Sequence, residues 1–115
     1  FKENYMSLNI EDKGKVKVVS LVGKLDVNLS VSIESELEQL VESGSIHLIL
    51  ELSGIEYLSS SGIRVFISIM RKIKDKNGRL VLACVPDIIK KILKTVELED
   101  LFEVYENVDD AVDSF

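Results

Sequence analysis

The chain has 115 residues, enough for one domain with a single hydrophobic core. It carries 14 lysine and arginine residues against 20 aspartate and glutamate residues, which gives a formal net charge of -6 at pH 7. Nucleic acids and anionic membranes bind clustered positive charge, so this balance argues against both as partners. A protein partner or a small ligand remains as the expected target.

Two further features bear on the location of the protein. No apolar run approaches the roughly 18 residues that a membrane-spanning helix requires, and residues 1–10 do not resemble a signal peptide. Cys84 is the only cysteine, so no disulfide can form within the chain. We therefore expect a cytoplasmic protein that has no membrane contact.

Strand and helix patterns alternate along the chain, with short turn signals between them. The run at residues 46–52 is rich in leucine and isoleucine, which is typical of a buried central strand with parallel neighbours. The order β-β-α-β-α-β-α-β-α predicts one α/β domain over residues 1–115, a small sandwich with a mixed, mostly parallel sheet. The predicted elements are strands at 5–10 and 15–22, a helix at 31–43 capped by Asn28 or Ser30, a strand at 46–52, a helix at 62–76, a strand at 79–85, a helix whose first residue is Pro86, an edge strand at 101–105 and a helix at 108–115.

The sequence shows no catalytic constellation. His47 is the only histidine and lies among apolar residues of a predicted strand, and Cys84 ends another apolar strand, so both are best explained as structural residues. One histidine and one cysteine cannot assemble a metal site, and the chain has no glycine-rich phosphate-binding loop. A receiver domain has a similar element order, but the aspartate expected at the end of its central strand is missing from residues 50–53. We expect no enzymatic activity and no cofactor.

Three consecutive serines, Ser59, Ser60 and Ser61, precede the second predicted helix. A serine at this position caps the helix by accepting a hydrogen bond from a free N–H group, but one cap is sufficient. Gly62 follows, a residue that is costly inside a helix yet useful where another surface approaches the backbone closely. A phosphate here would meet free N–H groups and the positive end of the helix dipole. From these residues alone, capping is the simpler interpretation and a phosphorylation site is the alternative.

Four stretches of the sequence carry motifs that point to one family. They are LSGIEYLSSSGIRVF at residues 52–66, GKLD at 23–26, NGRLVL at 77–82 and ILKTVELEDLF at 92–102. Together they resemble the STAS family, and specifically its bacterial anti-sigma factor antagonists. The first stretch is similar to the family signature that ends the central strand and opens a helix, and in the last one Glu97 stands where the family usually has glycine.

The resemblance implies a partner-switching regulator. Unmodified antagonists of this family bind an anti-sigma factor that is also a serine kinase, and this binding releases a sigma factor. The kinase then phosphorylates the antagonist, the complex dissociates, and a PP2C-type phosphatase restores the binding form. In this chain the phosphate-acceptor position corresponds to Ser60. The residue before it is Ser59, where the family often has aspartate. The hydroxyl groups of Ser59 and Ser61 could also accept a phosphate.

The same resemblance, taken with the order of the strands, implies a partner-binding surface. The loop at Asp26 should lie beside the start of the Ser60 helix, because both follow sheet strands at the same edge. Substitution of Asp26 or Arg64 should then weaken binding with little change in melting temperature. Two other functions remain open, a scaffold subunit built from a STAS domain and a small module that binds an anion or nucleotide without a phospho-switch. The expected partner-binding residues are Asp26, Asn28, Ser59, Ser61, Gly62 and Arg64.

Overall fold

The computed structural model describes residues 8–115, in which five strands form one sheet with helices on both faces. The predicted order of elements is confirmed. The elements are β1 (Leu8–Lys13), β2 (Val16–Leu25), α1 (Val27–Glu42), β3 (His47–Leu58), α2 (Ser60–Asp75), β4 (Arg79–Ala83), α3 (Asp87–Thr95), β5 (Glu103–Tyr105) and α4 (Val108–Asp113).

The strands lie side by side in the order β1-β2-β3-β4-β5. β1 pairs antiparallel with β2, whereas β2, β3, β4 and β5 run parallel to one another. The prediction that the 46–52 run forms an interior strand with parallel neighbours is therefore confirmed. Alternate residues of β3 serve two cores, since Leu48 and Leu50 face the core that contains α1, α2 and α3, while Ile49 packs with Ala111 of α4 on the other face.

Helix α2 packs through the apolar stripe that its sequence predicts. Ile63, Phe66 and Met70 are buried, and Phe66 has no exposed surface, whereas Ile67 is only half-buried. The ring of Phe66 meets Phe102 edge-on, with a centroid separation of 6.4 Å. This packing fixes α2 against the sheet and so fixes the position of its first turn.

The ends of β2 and β3 differ from the prediction. Both strands continue past the predicted ends at 22 and 52, because they stay paired as far as Leu25 and Leu58. Ser53 and Gly54 are residue types common in turns, but here Ser53 lies within an irregularity in the register of the two strands, and Gly54 is paired again with Val22. A Cβ at Gly54 would lie 3.0 Å from Cγ2 of Val22, so glycine allows the two strands to stay close there.

Several other boundaries shift by a few residues. Helix α1 begins at Val27 rather than at 31, and Asp26 caps it in place of Asn28 or Ser30. Pro86 is the N-cap of α3 rather than its first helical residue. The first strand was predicted at 5–10. Residues 5–7 lie outside the described residues, and the described strand runs on to Lys13. The strand predicted at 79–85, the edge strand predicted at 101–105 and the helix predicted at 108–115 are each shorter than expected.

Within residues 8–115, no helix combines the length and the apolar character needed to cross a membrane.

Candidate functional site at the start of helix α2

The carboxyl ends of β2 and β3 bring two helix starts together. Leu25 and Leu58 are paired across the two parallel strands, and each is followed by the residue that caps the next helix. Asp26 therefore lies at the same edge of the sheet as Ser59. The expected proximity of the Asp26 loop and the Ser60 helix is confirmed by this register.

Ser59 uses its side chain to join α2 to the sheet. Its hydroxyl donates to the carbonyl oxygen of Leu25 at 2.6 Å and accepts from the N–H of Gly62 at 3.2 Å. Its own N–H donates to the same carbonyl at 3.0 Å. The Ser59 hydroxyl is half-buried, and its proton is engaged in holding the fold.

The two serines that follow Ser59 occupy different environments. Ser60 is the first residue of α2 and is exposed, and its hydroxyl makes no hydrogen bond to another residue in 8–115. Ser61 is half-buried and lines a groove between α1 and α2. Of the three serines, Ser60 is therefore the one whose hydroxyl is both open to solvent and free of a structural hydrogen bond within 8–115.

Asp26 has a structural role that the sequence analysis did not assign. Its carboxylate accepts a hydrogen bond from the N–H of Leu29 at 2.9 Å and caps α1. Loss of such a cap costs about 0.5–2 kcal/mol, so the expectation that Asp26 can be changed freely without loss of stability needs correction. Asn28 lies in the first turn of α1 and is exposed.

Gly62 is buried, and its missing side chain serves the interior of the protein. A Cβ at this position would lie 2.7 Å from Cδ1 of Leu58 and 2.9 Å from Cδ2 of Leu25. Any larger residue would have to displace these two buried leucines, so glycine favours the close packing of α2 on the ends of β2 and β3. This packing accounts for Gly62 without any partner protein. The sequence had instead suggested Gly62 for the binding surface, because glycine lets another surface approach the backbone closely.

A groove of about 240 Å³ separates the first turns of α1 and α2. At one side of it, Val27 and Val31 are 60% and 65% exposed, although both are apolar. Ser30 is 2% exposed, and its hydroxyl oxygen has no hydrogen-bond partner within 8–115. Sequence reasoning assigned none of these three residues to the binding surface, although two valines at helical spacing away from the buried stripe were a usable signal. The groove is lined by Val27, Ser30, Val31, Glu34, Ser61, Arg64 and Val65.

Arg64 supplies the positive charge of this groove. It is exposed, lies one turn after Ser60 on α2, and forms no ion pair with the other residues of 8–115. Glu34 of α1 lines the same groove. The structure thus gathers Asp26, Ser59 and Ser60 with the groove residues at one edge of the sheet, and their surface combines apolar, cationic and hydroxyl groups.

The remaining chemistry-bearing side chains lie elsewhere and serve the fold. His47 is half-buried and meets the ring of Phe115 edge-on at 5.9 Å. Burial, with the neighbouring Glu51, raises the pKa of the Cys84 thiol and so disfavours its reactive thiolate form. Residues 8–115 contain no cluster of three or more side chains suited to a metal ion.

Comparison with known proteins identifies the family. The model of the STAS domain matches residues 7–111, and the chain belongs to this family. It is 26% identical over 106 residues to the anti-sigma-B factor antagonist of Staphylococcus aureus (strain NCTC 8325 / PS 47). This match covers 90% of the present chain and 98% of the relative.

Solved structures show the same fold. The anti-sigma factor antagonist SpoIIAA in its unphosphorylated form superposes with a TM-score of 0.81 at 19% identity, over 93% of this chain and 94% of that one. The Bacillus cell fate determinant SpoIIAA in the phosphorylated form superposes with a TM-score of 0.70 at 18% identity, over 93% and 97% of the two chains.

Proposed function

We propose that this chain is an anti-sigma factor antagonist controlled by phosphorylation of Ser60. Its unphosphorylated form binds an anti-sigma factor that is also a serine kinase, and so releases a sigma factor. The kinase ends the interaction by modifying Ser60, and a PP2C-type phosphatase reverses the modification in the cytoplasm. The observation that carries this proposal is the free, exposed hydroxyl of Ser60 at the first position of α2.

The hydrogen bonds at the helix start support Ser60 over Ser59 as the acceptor. Transfer of a phosphoryl group requires the hydroxyl oxygen to attack and to lose its proton. The Ser59 hydroxyl is held between the Leu25 carbonyl and the Gly62 N–H, so its modification would break the contact that joins α2 to β2. Ser60 can be modified without loss of any hydrogen bond within 8–115.

The surroundings of Ser60 suit a protein partner. Val27 and Val31 offer exposed apolar surface, and interface cores are built from such residues with polar groups around them. Arg64 and Asn28 are exposed nearby and can supply the polar contacts. We therefore propose that the kinase binds the first turns of α1 and α2, with Ser60 exposed at the first position of α2.

Phosphorylation would act on the interface rather than on the fold. A phosphoserine carries about -1.5 to -2 charges at neutral pH. At a helix N-terminus this charge interacts favourably with the free N–H groups, so the protein should stay folded. Within an interface it must be desolvated against a surface shaped for a hydroxyl, and an unpaired buried charge costs several kcal/mol.

Two similar proteins support part of this proposal. SpoIIAA, which shares the fold, is an anti-sigma factor antagonist that exists in unphosphorylated and phosphorylated forms. The S. aureus relative is an anti-sigma-B factor antagonist. These names support a phospho-switch for this chain, and the free hydroxyl of Ser60 supplies the acceptor.

Phosphosite mapping tests the assignment of Ser60. The wild-type chain, Ser60→Ala and Ser61→Ala are incubated with the cognate anti-sigma kinase and ATP, and the modified residue is located by mass spectrometry. We expect one phosphate on the wild type and on Ser61→Ala, and none on Ser60→Ala. Stoichiometric modification of Ser60→Ala would move the acceptor to Ser59 or Ser61 and contradict the proposal.

A further inference from the structure

Arg64 lies where it can reach a phosphate on Ser60. The two residues are four positions apart on α2, so they share one face of the helix. Side chains on a helix tilt toward its N-terminus, which directs Arg64 back over the first turn. That turn contains no acidic residue, and Arg64 has no ion pair within 8–115, so the guanidinium has no competing partner on its own helix.

The first turn of α2 leaves two backbone donors for an anion. Ser59 satisfies the next two N–H groups, since its hydroxyl accepts from Gly62 and its carbonyl accepts from Ile63. The N–H groups of Ser60 and Ser61 are the ones that a helix start leaves without an intrahelical partner. These two N–H groups lie at the positive end of the helix dipole and are available to an anion there.

The groove beside this turn contains a further unsatisfied donor. The hydroxyl of Ser30 is buried and lacks a hydrogen-bond partner within 8–115, and it lines the same groove as Ser61 and Arg64. Buried polar groups are nearly always paired in proteins, either with a protein group or with ordered water, so an unpaired hydroxyl in a groove wall marks a polar part of that wall.

We propose that Arg64 binds the phosphoryl group of phosphorylated Ser60 within the same chain. This inference rests on the proposed phosphorylation of Ser60 and adds to it a second effect of the modification. In the unmodified protein Arg64 presents a positive charge to the partner, and after modification that charge is paired internally. Phosphorylation therefore removes a cationic contact from the binding surface in addition to placing a negative charge on it.

Other charges also act on this phosphate and must be separated from Arg64. Glu34 faces the groove from α1, the Asp26 carboxylate caps α1 at the same edge of the sheet, and Lys24 lies exposed near the end of β2. Their contributions are common to the wild type and to a variant of Arg64. A comparison between the two therefore reports the contribution of Arg64 itself.

The test uses protein that carries phosphoserine at position 60, introduced during translation so that no kinase is needed. The second pKa of the phosphate is measured by phosphorus NMR during a pH titration of the full chain. Because a guanidinium stabilises the dianion, we expect this pKa to be lower in the wild type than in Arg64→Gln by about half a pH unit. Arg64→Lys should lie between them, and Arg71→Gln, an exposed change two turns further along α2, should match the wild type.

The outcomes separate this inference from the proposed function. Equal phosphate pKa values in the wild type and Arg64→Gln would overturn the pairing of Arg64 with the phosphate, whatever the partner does. An equally large shift in Arg71→Gln would also overturn it, because the effect would then be one of net charge. Undiminished binding of the phosphorylated chain to the anti-sigma factor would instead contradict the phospho-switch, and would leave the pairing of Arg64 intact.

Discussion

The hydroxyl of Ser59 donates a 2.6 Å hydrogen bond to the carbonyl oxygen of Leu25. This contact joins the first turn of α2 to the end of β2, next to the residue that caps α1. It also commits the hydroxyl proton of Ser59 to the fold and leaves Ser60 as the exposed hydroxyl at the helix start. The division of roles between neighbouring serines follows from this one bond.

Ser59→Ala should lower the free energy of unfolding by about 1–2 kcal/mol, because it removes the N-cap and the hydrogen bond to Leu25 together. Ser61→Ala is the matched control, since Ser61 makes no hydrogen bond within 8–115 through its side chain, and its loss should stay below about 0.5 kcal/mol. Both are measured by urea unfolding. Equal stability of Ser59→Ala and the wild type would show that the cap contributes nothing.

Two substitutions of Asp26 separate capping from partner binding. Asp26→Ala should cost about 1 kcal/mol, because Leu29 loses its hydrogen-bond acceptor, while Asp26→Asn keeps the acceptor and should stay close to the wild type. Thermal unfolding at neutral pH measures both. Asp26→Asn is then the variant in which a loss of partner binding reports on the carboxylate alone. A destabilised Asn variant beside a stable Ala variant would contradict the capping role.

Glu97→Gly should stabilise the protein. Glu97 has a φ of 61° at the end of α3, a left-handed conformation that glycine adopts at little cost and other residues adopt only under strain. The following hydrogen bonds, from Leu98 N–H to the Leu93 carbonyl and from Glu97 N–H to the Lys94 carbonyl, form the helix ending that usually carries glycine. We expect a gain of about 0.5–1 kcal/mol in the free energy of unfolding.

Glu99→Gly is the control for that gain. Glu99 is exposed and does not have a positive φ, so glycine there only adds freedom to the unfolded chain and should destabilise slightly. A loss of stability in Glu97→Gly equal to that in Glu99→Gly would show that residue 97 is not strained.

The ion pair between Arg79 and Glu103 should make stability depend on pH. Two hydrogen bonds, from Nε at 2.9 Å and from Nη2 at 2.5 Å, hold the pKa of the Glu103 carboxyl below its ordinary value. The pair therefore stabilises the folded state above the unfolded pKa of about 4.3, and its contribution is lost as the pH falls through the lower folded pKa. The Glu103 side chain is 52% exposed, so the contribution should stay below about 1 kcal/mol.

Urea unfolding of the wild type and of Glu103→Gln, carried out between pH 7 and pH 3, measures that contribution. The wild type should be the more stable protein at pH 7, and the two curves should converge at the acid end. A difference that grows as the pH falls would contradict the depressed pKa of Glu103.

The periodicity of the sequence was enough to predict the order of the elements and the edge of the sheet where α1 and α2 begin. The stripe of Ile63, Phe66 and Met70 marks α2, and the three serines before it mark its start. Because parallel strands end at one edge of the sheet, the meeting of the Asp26 and Ser59 loops followed from the element order alone. These are features that local pattern and topology determine together.

Features that depend on contacts between distant residues could not be predicted. Ser59 and Leu25 are 34 positions apart, so nothing local distinguishes the hydroxyl of Ser59 from that of Ser60. Glycine is common in turns, and Gly54 lies inside a strand only because it pairs with Val22 of β2. The early start of α1, at Val27 rather than at 31, was missed because Val27 is exposed and does not extend the buried stripe.

The proposed switch requires that one phosphate on Ser60 lowers the affinity of the chain for its anti-sigma factor. Calorimetric titration of the cognate anti-sigma factor with the unmodified chain, and with the chain phosphorylated stoichiometrically on Ser60, measures that effect. We predict that the phosphorylated chain stays folded and binds more than about 100-fold more weakly, which corresponds to about 3 kcal/mol of lost binding free energy. Equal affinity of the two forms would contradict the account.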